Sequence, residues 1–170
     1  MKIEGAKILV TGGAGLIGST TIDQLLANEK PGEIVILDNM SRGTTRNLEN
    51  ALKDERVKLI QGDIRDKDLV YKVTEGMDAV IHMAAIRITA CAADPREAME
   101  VMNDGTFNVI DAAHKAGVKK VLAASSASIL GLADSFPTTE DHHPYNNRTW
   151  YGASKIMLEG LLRSYNDMYG

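Results

Sequence analysis

The chain has 170 residues, of which 44% are hydrophobic and 25% are charged, and this is long enough for one domain with its own core. Its net charge of −4 provides no basic surface of the kind that binds nucleic acid. No apolar run approaches the roughly 18 residues that cross a bilayer, and residues 1–10 lack the pattern of a signal peptide. Cys91 is the sole cysteine, which excludes an intrachain disulfide. We therefore expect a cytoplasmic protein that binds neither membranes nor nucleic acid.

Apolar runs alternate along the chain with segments of helical spacing. Strands are predicted at residues 6–11, 33–38, 57–61, 79–83 and 119–125, and helices at 16–28, 47–53, 66–75, 95–116 and 150–169. One face of the first helix is expected to carry Ile17, Thr21, Leu25 and Leu26. Asp66 is placed to cap the third helix, and Gly117 to end the fourth. This alternation predicts an α/β fold with a Rossmann-type doubly wound parallel sheet.

Glycines repeat at every third position between the first strand and the first helix, at Gly12, Gly15 and Gly18. A β-carbon there would block a sharp turn and the close approach of a pyrophosphate, while the N-terminus of the helix attracts that anion. The pattern could also serve a tight turn alone, but its place between a strand and a helix favours a dinucleotide site. Leu16 and Ile17 lie within the same motif.

An acidic residue, Asp38, ends the second predicted strand. A carboxylate at this place accepts hydrogen bonds from the adenosine ribose and repels a 2′-phosphate, which favours NAD over NADP. Arg42 could hold a 2′-phosphate, although a solvated loop charge is the preferred interpretation. Asp63 follows the third strand and could face the adenine or cap the next helix, a role for which Asp66 is better placed.

A tyrosine and a lysine stand four residues apart in the last predicted helix, at Tyr151 and Lys155. This spacing puts both side chains on one face, where the ammonium can stabilise a phenolate that accepts a proton from a substrate hydroxyl. Serines at 125, 126 and 128 follow the fifth strand, where ligands bind in such sheets. One hydroxyl could bond the reacting oxygen, or the serines could serve a turn.

Together these segments resemble motifs of the extended short-chain dehydrogenase/reductases, within the NAD-dependent epimerase/dehydratase family. The resembling segments, in chain order, are Thr-Gly-Gly-Ala-Gly-Leu-Ile-Gly at 11–18, Asp38-Asn39, Gly62-Asp63-Ile64, His82-Met83-Ala84-Ala85, Gly105-Thr106, Ser125-Ser126 and Tyr151-Gly152-Ala153-Ser154-Lys155. The resemblance implies that Ser126, Tyr151 and Lys155 are catalytic. It also implies an NAD site formed by Gly12, Gly15, Leu16, Ile17, Gly18, Asp38, Asn39, Ser41, Arg42, Asp63, Ile64, Ala84, Ala85, Arg87, Ser125, Tyr151 and Lys155.

The implied activity is NAD-dependent 4-epimerisation of a nucleotide sugar, a UDP-sugar of the UDP-glucose/UDP-galactose type, through a transient 4-keto sugar. Family dehydratases and decarboxylases carry carboxylates just after the strand-five serine, where this chain has Ala127 and Ser128. A reductase, a dehydratase or a non-catalytic NAD-binding fragment remain alternatives. His82 is interpreted as structural, and His142-His143 lack partners in the sequence for a metal site, so no metal is expected.

Three departures from the family pattern stand out. Met102 occupies the place of a family asparagine, Asn103 lies one residue later, and the family's Val-Tyr-Gly is Ile-Leu-Gly at 129–131. Family members also continue beyond the point that corresponds to Gly170, into a C-terminal substrate domain. We therefore expect residues 1–170 to be an NAD-binding Rossmann domain without that substrate domain, inactive alone and dimeric through its last two long helices.

Overall fold

The computed structural model describes residues 1–170 and forms two compact units. The first unit comprises Met1–Ala84 and Asn108–Ala123, and the second comprises Ala85–Phe107 and Ala124–Gly170. The whole β-sheet belongs to the first unit, whereas the second is built from helices and loops. None of the helices combines the length and the apolar character that crossing a membrane requires.

The first unit is organised around a five-stranded parallel sheet. Its strands are β1 (Lys7–Thr11), β2 (Glu33–Asp38), β3 (Val57–Gln61), β4 (Ala79–His82) and β5 (Lys120–Ala123). They lie side by side in the order β3-β2-β1-β4-β5, with β1 in the middle. Thr11 at the end of β1 is paired with Leu37 of β2 and His82 of β4, so these strands end at one edge of the sheet. This topology confirms the predicted Rossmann-type α/β fold.

The strands in the middle of the sheet are buried because their apolar side chains pack on both faces. Four of the five residues of β1 and five of the six residues of β2 are buried. The core around them contains Ala6, Ile8, Val10, Ala14, Ile22, Ile34, Ile36, Leu48, Ala51, Val57 and Ala79. The edge strand β5 is less covered, and 51% of the Leu122 surface remains exposed.

The first unit contains the helices α1 (Leu16–Asn28) and α2 (Lys67–Thr74). The greater part of α5 (Thr106–Lys115) also belongs to it. The predicted cap of α2 is confirmed, since the Asp66 side chain accepts a hydrogen bond from Leu69 N–H at 3.1 Å. Gly117 follows α5 with a φ of +68°, a left-handed conformation that ends helices readily, as predicted.

The predicted face of α1 is buried only in part. Ile17 is 70% exposed, whereas the buried residues of this helix are Gly18, Ser19 and Ile22. The glycine-rich turn sets the start of the helix, because a Cβ on Gly18 would lie 2.5 Å from Gly12 O and only glycine allows this approach. Leu25 and Leu26 do pack against the core as predicted.

Two further predictions of element type need correction. Residues 47–53 form no α-helix, because the chain there makes two 3₁₀ turns, Thr45–Leu48 and Ala51–Lys53. The predicted helix at 95–116 is not α-helical throughout, since a π-helical stretch, Met99–Gly105, separates the short helix α4 (Pro95–Ala98) from α5. We call Met99–Gly105 the π segment, which widens the helix and so shifts the face of each following residue.

The second unit contains α3 (Ile88–Ala93), α4, the π segment, the start of α5, and α6 (Trp150–Tyr169). The bounds of α6 agree with the prediction, whereas α3 had no counterpart in it. Its core consists of Cys91, Ala98 and Met102, against which Ala85, Ile86 and Tyr151 pack. Burial raises the pKa of the Cys91 thiol, which keeps it protonated and unreactive at neutral pH.

Candidate active site

The glycine-rich turn between β1 and α1 is shaped by close backbone contacts. Gly12 has a φ of +72°, and a Cβ on it would lie 2.6 Å from Ala84 N. A Cβ on Gly13 would lie 2.7 Å from a methyl group of Ile36. Any side chain at either position would push the turn away from the sheet, which accounts for the choice of glycine.

The N-terminus of α1 fits an anionic group. Gly15 is its N-cap residue, no side chain caps the helix, and its first turn contains no acidic residue. The first N–H groups of a helix have no partner within it, and they carry the positive end of the helix dipole. Leu16 and Ile17 in this first turn are 77% and 70% exposed. The turn therefore leaves room and unused backbone donors for a phosphate-bearing cofactor.

The buried Asp38 carboxylate is bonded on both oxygens by backbone N–H groups. Oδ2 accepts from Ala14 N–H at 2.9 Å, and Oδ1 accepts from Met40 N–H at 2.9 Å. These bonds attach the end of β2 to the glycine-rich turn and fix the orientation of the carboxylate. Each oxygen keeps a second acceptor position, so the carboxylate can still receive hydroxyl groups.

The polar residues that follow β2 and β3 form a second network. Asn39 Nδ2 donates to Asp63 Oδ2 at 2.9 Å, and the Arg65 guanidinium donates to both oxygens of Asp63 at 3.0 and 2.8 Å. The hydrogen bond from Arg65 is the main reason that the pKa of Asp63 falls to about 2. Asp63 is thus ionised and held beside Asn39 at neutral pH.

The remaining candidates of the first unit lie close to these groups in the chain. Ser41 donates its N–H to Asn39 Oδ1 at 3.0 Å, and Arg42 lies exposed in the same bend. Ile64 is buried, and its carbonyl accepts from Asn108 Nδ2 at 3.0 Å. Ala84 follows β4 next to Gly12. His82 is buried and bonded through Nδ1 to Thr11 Oγ1 at 2.6 Å, which supports its structural interpretation.

The tyrosine and lysine of α6 belong to the second unit. Tyr151 is partly buried, and Lys155 is 4% exposed, with its Nζ 5.8 Å from the centre of the Tyr151 ring. Lys155 Nζ donates to Ala124 O at 2.7 Å. Loss of solvent on burial lowers the pKa of Lys155 from its ordinary value of 10.5, because no carboxylate compensates the ammonium charge there. The lysine is therefore held in place by a carbonyl rather than by an ion pair.

The serine segment after β5 is attached to α6 at three points. Lys155 bonds Ala124 O, Ser125 Oγ donates to Glu159 Oε1, and Gly152 leaves space for Ser128 O, which would lie 2.6 Å from a Cβ at that position. Gly152, Lys155 and Glu159 are spaced three and four residues apart, so they lie on one stripe of the helix. α6 thereby fixes the segment that contains Ser126.

The hydroxyl of Ser126 has a local role in the structure. Its Oγ accepts from Ser128 N–H at 3.1 Å and caps the 3₁₀ turn Ala127–Ile129. The alternative of turn chemistry is therefore realised, although a hydroxyl that accepts one bond still has its proton to donate. Arg87 and Ala85 also lie in the second unit, where Arg87 is exposed and directly precedes α3.

Several supporting residues were missed in the sequence. Asn47 Nδ2 donates to Ala14 O at 2.8 Å, and a Cβ on Gly43 would lie 2.6 Å from the Ala14 Cβ, so this polar stretch packs on the glycine-rich turn. Glu159 and Arg65 were also missed. The only local signal among them is the short Asp63–Arg65 spacing, because the others join residues 29 to 34 positions apart.

Comparison with known proteins identifies the family. The model of the NAD dependent epimerase/dehydratase family matches residues 8–170, which includes every candidate residue described above. The chain belongs to this family.

Family members similar to this chain include both epimerases and dehydratases. The UDP-glucose 4-epimerase of Mycolicibacterium smegmatis is 38% identical over 166 residues, which cover 96% of this chain and 52% of that protein. The structure of Thermus thermophilus UDP-glucose 4-epimerase in complex with NAD is 31% identical with a TM-score of 0.85. The match covers 96% of this chain and 52% of that one. The structure of dTDP-glucose 4,6-dehydratase from Streptomyces venezuelae with NAD bound is 34% identical with a TM-score of 0.90, over the same shares.

This member of the NAD dependent epimerase/dehydratase family spans about half the length of the relatives it matches. The fold and the cofactor class follow from the family, since its enzymes use NAD and the two structures above contain it. At the departure from the family pattern, Met102 lies in the π segment and its sulfur faces Ile86 N–H at 3.4 Å. The neighbouring Asn103 is buried, with its side-chain Oδ1 left without a hydrogen-bond partner.

Proposed function

We propose that this protein contributes the NAD-binding and proton-transferring residues of a nucleotide-sugar 4-epimerase acting on UDP-sugars of the UDP-glucose/UDP-galactose type. The observation that carries the proposal is the pair of Tyr151 and Lys155 on α6, where Lys155 is buried and bonded to Ala124 O just before the serines. Residues 1–170 would then act as the NAD-binding Rossmann domain of the enzyme, a division that we propose from the sheet and the family match.

In this proposal the first unit holds the cofactor. Gly12, Gly15 and Gly18, with the N–H groups of Leu16 and Ile17, receive the pyrophosphate. Asp38 accepts the adenosine ribose hydroxyls with the acceptor positions that its backbone bonds leave open. Asn39, Ser41, Asp63 and Ile64 surround the adenine end, Arg42 stays in solvent, and Ala84 lines the cofactor further along the chain. Ala85, Arg87 and Ser125, which belong to the second unit, remain predicted cofactor residues.

The second unit would provide the residues that transfer the proton. The Lys155 ammonium stabilises Tyr151 as a phenolate and bonds the nicotinamide ribose, and this phenolate accepts the proton of the sugar 4-hydroxyl. Ser126 donates a hydrogen bond from its hydroxyl to the reacting oxygen and keeps its proton. NAD, when bound, would supply the hydride acceptor and donor at the sugar carbon. Tyr151 then gives its proton back to the 4-keto oxygen, so the residues end as they began.

The segment after Ser126 favours epimerisation over dehydration. A dehydratase needs a positioned carboxyl group to eliminate water, and the 3₁₀ turn after Ser126 carries Ala127 and Ser128 instead. Glu159 is the carboxylate bonded to this segment, and the Ser125 hydroxyl occupies one of its oxygens. The similarity to a dTDP-glucose 4,6-dehydratase keeps dehydration as the second candidate.

Product analysis separates the candidates. Because residues 1–170 are expected to be inactive alone, they are assayed beside a longer chain that adds a C-terminal substrate domain. Each is incubated with NAD⁺ and UDP-glucose, and the products are resolved by chromatography and mass spectrometry. An epimerase yields UDP-galactose of unchanged mass, whereas a dehydratase yields a keto-deoxy product lighter by one water. Calorimetry on the same preparation measures the binding of NAD⁺ and NADP⁺, and Asp38 predicts tighter binding of NAD⁺. Bound NAD⁺ without any turnover in the longer chain would favour the alternative of a non-catalytic dinucleotide-binding module.

Tyr151→Phe is the matched variant, because it removes one oxygen and keeps the ring. In the longer, complete enzyme we expect turnover to fall by roughly 10²–10⁴ while the Kd for NAD⁺ changes little. Retained turnover would show that another group accepts the proton.

We also propose a homodimer through α6 and the helix that contains the π segment, in the cytoplasm. The support is that Phe107 and Met157, on these two helices of the second unit, are 42% and 39% exposed. The family resemblance implies the same surface, and the lone buried Cys91 suits a reducing compartment. Analytical sedimentation of the chain and of its Phe107→Glu variant tests this dimer. We expect the chain to sediment as a dimer and the variant as a monomer.

A further inference from the structure

The loop that leads to α6 contains a cluster of three potential metal ligands, Asp134, His142 and His143, which we call the loop cluster. One ligand atom from each residue lies within 4.8 Å of the others. The sequence gives no sign of this, because Asp134 is eight and nine residues from the histidines and only the folded loop brings it beside them.

His142 is oriented in the way that metal-binding histidines are. Its side chain is 8% exposed, and its Nδ1 lies 2.7 Å from His143 O, a carbonyl that can only accept. Nδ1 therefore carries the proton, and the lone pair is on Nε2, which accepts from Asp134 N–H at 3.1 Å and lies 3.7 Å from Asp134 Oδ2. A backbone carbonyl that bonds the second ring nitrogen fixes the tautomer of a metal ligand.

Asp134 and His143 complete the group. His143 Nε2 lies 2.9 Å from Asp134 Oδ2, and Asn146 Nδ2 donates to Asp134 Oδ1 at 2.8 Å. The amide of Asn146 thus orients the carboxylate and leaves Oδ2 facing both histidines. His143 and Asp134 are 42% and 61% exposed, so an ion from solvent can reach the cluster.

We propose that the loop cluster binds Zn²⁺ through His142 Nε2, His143 Nε2 and Asp134 Oδ2. In tetrahedral zinc sites with bonds of about 2.0–2.2 Å, ligand atoms lie roughly 3.3–3.6 Å apart, so only small side-chain movements separate the loop cluster from that geometry. Two imidazoles and one carboxylate suit zinc, whereas magnesium prefers oxygen ligands alone. Water takes the fourth position.

Binding exchanges weak contacts for metal bonds. The proton on His143 Nε2 moves to Nδ1, and the contact of Tyr145 N–H with Nδ1 at 3.3 Å is given up, as is that of Asp134 N–H with His142 Nε2. Both N–H groups belong to exposed residues and can turn to water. The ion would cross-link Asp134 to the histidines and hold the loop whose end, Thr149, caps α6.

Zinc titration of the untagged 170-residue chain tests this proposal. After treatment with a chelator and dialysis, calorimetry should give one Zn²⁺ per chain, and Zn²⁺ but not Mg²⁺ should raise the Tm. His142→Ala, His143→Ala and Asp134→Asn should each weaken binding by roughly tenfold or more and remove the Tm increase. His114→Ala is the matched control, since His114 is exposed on α5 in the other unit and should leave zinc binding unchanged.

Co²⁺ provides a second measurement that does not depend on the stability of a variant. Bound at the loop cluster, it should show the visible absorption of a tetrahedral site without a thiolate charge-transfer band, because Cys91 is not a ligand. The proposal is overturned if the chain binds no Zn²⁺, if binding persists in the His142 and His143 variants, or if His114→Ala abolishes it.

Discussion

Two constraints at Gly12 favour glycine: the backbone is left-handed, and another part of the backbone lies where a Cβ would be. Its φ is +72°, and a Cβ would lie 2.6 Å from Ala84 N. Gly76 has a φ of +70° but no atom within 4 Å of the same position, so it isolates the backbone effect. We expect Gly76→Ala to lower the free energy of unfolding by about 1–2 kcal/mol. Gly12→Ala should cost roughly 1–3 kcal/mol more, because the backbone that follows β4 must move.

Urea unfolding of both variants measures this difference, and calorimetry with NAD⁺ follows the site. Gly12→Ala should also weaken NAD⁺ binding, whereas Gly76→Ala should not. Equal losses of stability in the two variants would mean that the approach of Ala84 is not a constraint.

Lys155 places a charge in the interior without a carboxylate partner, so function and stability should oppose each other there. Burial lowers its pKa below 10.5, and below that lowered pKa the folded state bears the full penalty of the buried ammonium. The penalty shrinks as pH rises, and it is gone above the ordinary pKa. We therefore expect Lys155→Met to be more stable than the parent at neutral pH, by roughly 0.5–2 kcal/mol, and this advantage to decline towards pH 10.

Lys115 is the matched control, because its pKa is raised where that of Lys155 is lowered. It is exposed, and its hydrogen bond with Asp111 raises its pKa, so its stabilising effect is fully present below the ordinary pKa and is lost as pH rises through the raised one. Lys115→Met should be no more stable than the parent at any pH below 10. Unfolding curves between pH 7 and 10 measure the stability of both variants and of the parent protein. A parent that is more stable than Lys155→Met at every pH would contradict the desolvation argument.

Residues whose chemistry restricts their type could be identified from the sequence. Gly12 favours glycine because of its φ and the close approach of Ala84, and Tyr151 and Lys155 were predicted as a catalytic pair from their four-residue spacing. Ser125–Glu159 could not be found, because its partners are 34 positions apart and either residue has an ordinary surface alternative. Side-chain contacts of this range depend on the tertiary fold, which no local pattern encodes.

At the scale of the elements, the start of α6 decides where Tyr151 lies. Thr149 is its N-cap, and its Oγ1 accepts from Gly152 N–H at 3.0 Å. Thr149→Ala removes this acceptor and should cost about 1 kcal/mol of unfolding free energy. Thr149→Ser keeps the hydroxyl and should retain most of the stability, as thermal unfolding of the pair would measure. A serine variant as unstable as the alanine one would assign the effect to the lost methyl group instead.

The sequence predicted strands better than helix details. Each of the five predicted strands overlaps an observed one, because buried parallel strands are short apolar runs whatever their neighbours. The π segment was not predicted, since its residues also fit an α-helical spacing, and α3 was missed because its six residues are too short to show a period. Ile17 was grouped with Leu25 and Leu26 on one face of α1, and periodicity alone does not show that the first turn of this helix is exposed.

At the scale of the sheet, amide exchange should follow strand position. β1 is paired on both sides, with β2 and β4, so its amides from Ile8 to Thr11 should be among the slowest to exchange. β5 is paired only with β4, and its outward-facing amides should exchange quickly. Hydrogen exchange followed by NMR measures this difference. Slow exchange at every position of β5 would indicate that a second chain covers this edge.

Because β1 lies between β2 and β4, one of its two partner strands is synthesised much later than β1 itself. Of the five strands it leaves the ribosome first, yet the His82 ring that bonds Thr11 is 71 residues further along the chain. At about 5–20 residues per second, this partner arrives roughly 4–14 seconds later. Until then one side of β1 has no neighbour, while β2 can already occupy the other. A nascent chain therefore carries an apolar, half-paired strand for seconds, and this interval is when binding by a chaperone would do most to prevent misfolding.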